Sequence, residues 1–263
     1  MHKILVPVDF SSTSKNALRY GINLFKDKPL EVTILHIYGT QSRALMMKSI
    51  DSVLIRNAKE EMDNLIKEIE SETPGVTFKT KLYKNYAIST IAELGNSGDY
   101  DFIVMGTKGA TGLKEVFMGS VAGGVISKTS APVIVVPLDY NFTGLNHIVF
   151  AAGNQEFSES SSQPLRKVVK LHNSALEVLH ISDNDTFNVE NSLSTIKDLN
   201  PTYTCKDSDG DLNQQLNVHI QNNDTDLLCL VRTKKDFFGR LFGGSVTLKQ
   251  TFNSSVPILV IQA

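Results

Sequence analysis

The sequence lacks the cysteines and the long apolar runs that several classes of protein require. Its 263 residues include only two cysteines, Cys205 and Cys229, which are too few for a disulfide framework. We therefore expect a reducing, cytoplasmic environment. The N-terminus enters a strand-like run at once, so no signal peptide is expected. No apolar run approaches the roughly 18–20 residues that cross a bilayer, so no membrane partner is expected.

An excess of charge of one sign is also missing. The chain has 26 Lys and Arg against 28 Asp and Glu, a net charge of −2. Nucleic-acid binding driven by bulk electrostatics needs a basic excess or patch, so no nucleic-acid partner is predicted. Residues 232–242 do interleave cations with aromatic side chains. We interpret this segment as cover for a cleft or a domain interface, with single-stranded nucleic acid or an acidic partner as the alternative.

Several motifs that carry chemistry are absent as well. The six histidines and two cysteines never reach the spacing of metal ligands, so no metal site is predicted. The glycines are not followed by the Gly-Lys-Ser/Thr of a Walker loop, and their spacing is not that of a Rossmann dinucleotide site. Gly-x-Ser-x-Gly does not occur, and no catalytic residue is predicted.

What the chain does contain is an internal repeat. The run Lys3–Val8 has a counterpart 144 positions later at His147–Ala152, and Leu35–Ile37 returns at the same offset. Nearer the C-terminus the offset falls to 125, where Ser130–Val136 matches residues 255–261. The second copy has therefore lost 19 residues in its middle. Such self-similarity is the signature of a duplication.

The repeat predicts two domains, residues 1–140 and 145–263, joined by a polar linker at about Leu138–Leu145. Five short apolar runs in the first copy are predicted strands: Ile4–Val8, Val32–Ile37, Thr77–Tyr83, Phe102–Met105 and Val133–Val136. Helical patterns separate them, and the second helix of the second copy is predicted to shorten to about 190–199. This alternation predicts an α/β fold of two tandem, doubly wound, parallel five-stranded sheets.

The densest glycine pattern follows the fourth predicted strand, at residues 106–121. Ligands of doubly wound sheets bind beyond the carboxyl ends of the strands, where this segment lies. Gly106 and Gly109 would let the backbone turn tightly and approach a ligand without a Cβ in the way. Gly119 and Ser120 open a helix whose free N–H groups suit a phosphate. The segment is thus a candidate phosphate cradle, with an ordinary surface loop as the alternative.

The spacing Gly106-x2-Gly109-x9-Gly119-Ser120 resembles the ATP-binding signature of the universal stress protein family. The opening run through Asp9, the strand Ile34–Ile37 and the closing run through Pro137 are also similar to that family. The resemblance covers both copies and is stronger in the first. It implies the Rossmann-like fold that this family shares with the adenine nucleotide alpha hydrolases.

The resemblance also implies a bound adenine nucleotide, either ATP or its relatives ADP and AMP, with the presence of Mg²⁺ left open. Asp9 would contact the ribose, Ile37 the adenine, and Gly119–Val121 the phosphate tail. The full implied set is Pro7, Val8, Asp9, Ile37, Met105, Gly106, Lys108, Gly109, Gly119, Ser120 and Val121. From the residues alone, Asp9 has a second interpretation as the N-cap of the helix that follows it.

The second copy departs from this pattern. Gly153 stands where Asp9 would be, and Val231 and Lys234 replace the first two glycines of the signature. Only Gly244–Ser245 survives. A β-branched side chain and a long cation would obstruct the close approach of the backbone, so the second copy is not expected to bind ATP.

The favoured function is a regulatory, nucleotide-binding protein of the universal stress type, acting in a stress response. A slow ATPase or nucleotide-transfer enzyme is the alternative, although no general base or arginine finger is placed by a motif. A scaffold with a vestigial site is a third interpretation. The family resemblance further implies an intrachain pseudo-dimer in which Pro132–Val136 pairs with Pro257–Ile261. Whether two chains form a homodimer is left open.

Overall fold

The computed structural model describes residues 1–38, 48–109, 116–117, 119–153, 157–182, 193–207, 212–232 and 254–263. The predictions made for Lys234, for Gly244–Ser245 and for most of the cation- and aromatic-rich segment therefore lie outside the described residues. Among the helices that are described, none combines the length and apolar character needed to span a bilayer.

The chain alternates strands and helices as the hydrophobic pattern predicts. The strands are β1 His2–Val8, β2 Leu30–Tyr38, β3 Thr77–Lys84, β4 Phe102–Gly106, β5 Lys108–Gly109, β6 Val116–Phe117, β7 Val133–Val136, β8 His147–Ala152, β9 Ala175–Ser182, β10 Thr202–Asp207, β11 Leu227–Arg232 and β12 Ile258–Gln262. The helices are α1 Ser12–Leu24, α2 Lys48–Glu72, α3 Ala87–Gly95, α4 Ser120–Lys128, α5 Glu159–His172 and α6 Leu212–Asn222, with a 3-10 helix at Ser194–Leu199.

Ten of the strands form one sheet in the order β10-β9-β8-β11-β12-β7-β4-β1-β2-β3. Strands β3, β2, β1, β4 and β7 are parallel to one another and are called the first half-sheet. Strands β10, β9, β8, β11 and β12 form the parallel second half-sheet. The two halves meet through antiparallel pairing of β7 with β12, where Ile134 lies opposite Leu259. The two expected sheets are thus continuous through their fifth strands.

Each half-sheet is covered on both faces. Alternating residues of β4 point to opposite sides, so Phe102 joins the core beneath α1 and α2, whereas Ile103 joins the core beneath α3 and α4. Along the first half-sheet the chain runs outward from β1 to β3 and then returns to β4. This reversal opens a crevice between the carboxyl ends of β1 and β4, which is where doubly wound sheets bind ligands.

Equivalent side chains make equivalent contacts in the two repeats. Nδ1 of His36 donates to the carbonyl oxygen of Val8 at 2.8 Å, and Nδ1 of His180 contacts the carbonyl oxygen of Ala152 at 3.0 Å. Both histidines tie the second strand of a half-sheet to the end of its first strand. Their equivalence in the sequence therefore reflects packing of the fold.

Two parts of the fold differ from the expectation. The shortened helix predicted at 190–199 is a 3-10 helix where it is described, at Ser194–Leu199. The linker is packed against the domain cores: Leu145 is 2% exposed, and the Tyr140 hydroxyl donates to the carbonyl oxygen of Asp226 at 3.1 Å. Phe142 also lies edge-on to Tyr20 of α1, with ring centroids 5.4 Å apart. The connection is therefore part of the fold, although its composition is polar.

Candidate functional site

A cavity of about 510 Å³ opens at the carboxyl ends of β1, β2 and β4. Its volume lies within the roughly 300–1,000 Å³ of small-molecule sites. Among the predicted site residues, those that line it are Pro7, Val8, Asp9, Ile37, Met105, Gly106, Gly119, Ser120 and Val121. Of the two others, Lys108 and Gly109, only the backbone is described, and it forms β5. The structure thus brings most of the predicted set to one place.

The cavity has two chemically different walls. The apolar wall consists of Leu35, Ile37, Ala87, Ile91 and Met105. The hydroxyl-bearing wall consists of Ser11, Thr13, Ser14, Thr107 and Ser120. Asp9 is the only charged side chain among the described residues that line the cavity. Such a lining suits a ligand that combines a flat apolar part with polar groups.

Asp9 lies in the turn between β1 and α1. Its Oδ1 accepts a hydrogen bond from the Ser11 backbone N–H at 3.1 Å and another from the Ser11 hydroxyl. Burial opposes ionisation, but hydrogen bonds from Ser11 and Ser14 outweigh it and hold the pKa of the Asp9 carboxyl below its usual value. Both of the bonds from Ser11 end on Oδ1. A carboxylate offers about four lone-pair sites, so the ionised Asp9 side chain can accept further hydrogen bonds from a ligand.

The alternative interpretation of Asp9 as an N-cap is wrong. The N-cap of α1 is Ser11, whose side chain accepts from the Ser14 N–H. Asp9 lies two residues before this cap, and its carboxylate orients Ser11 by accepting hydrogen bonds from it. The turn also holds Phe10 at a φ of 63°, in the left-handed region that an aromatic residue seldom adopts. The Phe10 ring lies 4.5 Å from that of His36 between centroids, and this contact helps to hold the turn in place.

The start of α4 differs from the starts of α1 and α5. Ser158 caps α5 as Ser11 caps α1, whereas the N-cap of α4 is Gly119, which offers no side-chain acceptor. The first N–H groups of a helix have no partner within the helix. At Ser120 and Val121 these groups border the cavity. Together with the helix dipole, they form a site suited to an anion.

Between β4 and α4, the two short strands β5 and β6 pair with each other. Lys108 pairs with Phe117 and Gly109 with Val116 in a two-residue antiparallel ladder. This hairpin, which the sequence did not predict, carries the chain from the end of β4 back toward Gly119. The two ends of the glycine signature therefore reach the same cavity.

The structure adds a second reason for a glycine at position 106. A Cβ at Gly106 would lie 2.5 Å from Cγ2 and 2.7 Å from the carbonyl oxygen of Thr13. Both atoms belong to the first turn of α1, so the missing side chain makes room for the helix. Because Thr13 lines the cavity, Gly106 shapes the site indirectly.

The equivalent position in the second repeat is filled. Val231 lies opposite Ile261 just as Gly106 lies opposite Val136, and it is 6% exposed. The helix that follows β8 starts later: its N-cap, Ser158, is the sixth residue after the end of β8, whereas Ser11 is the third residue after the end of β1. Gly153 stands at the position of Asp9 and offers no carboxylate.

Sequence reasoning missed several residues of the cavity. Ser11, Thr13 and Ser14 line the cavity but are not among the predicted site residues, although a helix that starts beside β1 must lie at the binding edge. Thr107 gave no signal beyond following β4. It is 4% exposed, and its hydroxyl has no hydrogen-bond partner within the described chain. An unsatisfied buried hydroxyl at the cavity is a candidate ligand contact.

Comparisons with known proteins agree with this geometry. A family model described as "Universal stress protein family" matches residues 1–137. Universal stress protein MJ0577 of Methanocaldococcus jannaschii is 33% identical, with 51% of this chain and 93% of that protein covered. Universal stress protein MJ0531 of the same organism is 31% identical, with 51% of this chain and 81% of that protein covered.

A solved structure covers the whole fold. The universal stress protein from Archaeoglobus fulgidus matches 99% of this chain and 96% of its own, with a TM-score of 0.73 and 18% identity. A putative universal stress protein from Pseudomonas aeruginosa matches 100% and 93%, with a TM-score of 0.64 and 13% identity. At these identities the likeness concerns the fold, and it extends over both half-sheets.

Proposed function

The chain belongs to the universal stress protein family, and from that premise we propose that it is a regulatory protein that binds one adenine nucleotide in the cavity of its first half-sheet. The observation that carries the proposal is the convergence of three features on one cavity. These are an apolar wall, a carboxylate with a free acceptor at Asp9, and the uncapped start of α4.

Each part of the nucleotide has a complementary surface. The adenine lies against the apolar wall at Ile37 and Ile91, where a flat ring replaces water. The ribose hydroxyls donate to Oδ2 of Asp9. The phosphates accept hydrogen bonds from the N–H groups and the hydroxyl of Ser120 at the start of α4. The backbone of Lys108 and Gly109 edges the ribose and phosphates in this arrangement.

The proposal includes an asymmetry between two domains, residues 1–140 and 145–263. The second domain lacks the carboxylate at Gly153 and carries Val231 where the first has a glycine. We propose that it binds no ATP and acts as a partner for the first. A cytoplasmic location is part of the proposal and is supported by the two cysteines, which are both free.

Nucleotide binding supplies a regulatory signal through mass action. A ligand that binds only the folded chain stabilises it as the ligand concentration rises above its dissociation constant. ATP, ADP and AMP share the base and ribose contacts and differ at the end of the cavity formed by α4. Mg²⁺ would neutralise part of the charge on the phosphates, and Asp9 is the one carboxylate among the described residues that line the cavity.

Ser120→Glu tests the phosphate end without disturbing the fold. A carboxylate in the first turn of α4 interacts favourably with the helix dipole, so stability should be unchanged or slightly higher. The same carboxylate lies where the phosphates bind and repels them. We expect ATP affinity to fall by about tenfold or more, measured by equilibrium binding of labelled ATP beside the wild type.

Ser160→Glu is the matched control. It makes the same change of charge in the first turn of α5, in the second repeat and away from the cavity. ATP affinity should then stay within about twofold of the wild type. Equal loss of affinity in both variants, or none in Ser120→Glu, would show that the phosphates do not bind at the start of α4.

A further inference from the structure

Arg232 is the last residue of β11, in the second half-sheet, and its guanidinium reaches into the first repeat. Nη1 donates to the carbonyl oxygen of Ser127 at 3.1 Å, and Nη2 donates to that of Thr129 at 3.3 Å. Nη2 also donates to Oε1 of Gln262 at 2.8 Å. Within the described part of the chain it forms no ion pair with a carboxylate. Its charge therefore faces the carbonyl oxygens at the end of α4.

These carbonyl oxygens terminate the helix that begins at the cavity. α4 has nine residues, so about 13 Å separates its two ends. The last carbonyl groups of a helix lack partners within the helix, and a cation there also interacts favourably with the dipole. Arg232 thus donates hydrogen bonds to carbonyl oxygens at the C-terminal end of α4. The N-terminal end of this short helix borders the cavity at Ser120 and Val121.

The end of α4 is held from a second side by α3. Oδ1 of Asn96 accepts from the Ser130 N–H at 2.7 Å and from the Thr129 hydroxyl at 3.1 Å. Oγ1 of Thr129 and Cδ1 of Ile103 would both lie under 3 Å from a Cβ at Gly95. The ends of α3 and α4, the two helices that flank the cavity, are therefore joined to each other through Asn96 and Thr129. Arg232 in turn joins the end of α4 to the second half-sheet.

The position of Arg232 in the repeat is informative. At the offset that aligns Gly106 with Val231, Arg232 is the counterpart of Thr107, which lines the cavity of the first repeat. The second repeat therefore differs from the first at two successive positions. Val231 replaces the glycine, and Arg232 places a long cation where it contacts the first repeat.

We infer that Arg232 is a positioning residue for the nucleotide cavity: by holding the C-terminal end of α4, it places the helix start that binds the phosphates. This inference rests on the proposed function. It explains why a domain without a site of its own is kept beside one that has a site. Because coupling between sites is reciprocal, bound nucleotide should in turn strengthen the contact of Arg232 with α4.

Arg232→Gln tests this role, with Arg166→Gln as the matched control. Arg166 also donates to a backbone carbonyl oxygen, that of Thr195, and pairs with Asp198, but it lies within the second repeat. ATP affinity should fall about fivefold or more in Arg232→Gln and stay unchanged in Arg166→Gln. Hydrogen exchange of the α4 amides should become faster only in Arg232→Gln, and added ATP should slow it less than in the wild type.

The outcomes separate the two proposals. If the wild type binds ATP and Arg232→Gln binds it equally well, the inference about Arg232 is wrong and the proposed function stands. Equal weakening by Arg166→Gln would also overturn it, because general stability would then explain the loss. A wild type that binds no ATP would overturn both. If Arg232→Gln does not fold, Arg232→Lys replaces it, with an affinity expected below that of the wild type.

Discussion

Replacing Gly106 by alanine should lower the free energy of unfolding by about 3 kcal/mol. The added Cβ would lie 2.5 Å from Cγ2, 2.7 Å from the carbonyl oxygen and 2.9 Å from the carbonyl carbon of Thr13. Carbon atoms pack best at about 3.5–4.0 Å, so α1 or β4 must move. Two of the three contacts are with backbone atoms, which cannot rotate away as a side chain can.

Gly21→Ala is the control for this prediction. Gly21 lies in α1, the helix that contains Thr13, but the nearest contact of a Cβ there is Cδ1 of Ile4, a flexible side-chain end, at 3.0 Å. Alanine also favours the helix by up to about 1 kcal/mol, so the change should stay within about 1 kcal/mol. Urea unfolding of both variants measures the difference. Similar stabilities for the two would mean that α1 does not need a glycine at position 106.

Replacing Asp9 by alanine should weaken ATP binding by about tenfold to a hundredfold. In the proposed complex the ionised carboxylate accepts hydrogen bonds from the ribose, and the loss of such bonds leaves the hydroxyls unpaired in the cavity. Alanine also removes the acceptor that orients Ser11. Binding of labelled ATP measures the loss, and a variant that binds as tightly as the wild type would remove Asp9 from the site.

Asp9→Asn separates the charge from the shape. Its amide oxygen can still accept from Ser11 but is a weaker acceptor for the ribose, so its affinity should lie between those of the wild type and Asp9→Ala. Hydrogen bonds keep the pKa of Asp9 below its usual value, and protonation would remove the contribution of the carboxylate only as the pH falls through that lowered value. The affinity ratio of wild type to Asp9→Ala should therefore be equal at about pH 5.5 and about pH 8.

The sheet could be predicted from the sequence because its signals are local. Strands β1, β2, β4 and β7 are short, largely apolar runs, and β7, predicted as Val133–Val136, is observed with the same bounds. The repeat then provides the second half-sheet. The pairing of β7 with β12 is a long-range contact, and it was expected because the family pattern implies it.

The parts that escaped prediction depend on distant neighbours. The need for glycine at position 106 comes from Thr13, which is far away in the sequence and approaches only when α1 packs on β4. Likewise, Arg232 is one more cation in a polar stretch until the sheet places it beside Ser127. The shortened second helix of the second repeat is a 3-10 helix in its described part. Its apolar spacing gave no means of distinguishing the two helix types.

Calorimetric titration of the full wild-type chain with ATP is the most direct test of the central claim, because it reports the number of sites. Binding of one ATP per chain is the expected result, with the first half-sheet occupied and the second empty. Two sites would contradict the asymmetry assigned to Gly153 and Val231. The absence of binding would contradict the assignment of the cavity between β1 and β4 as an adenine nucleotide site.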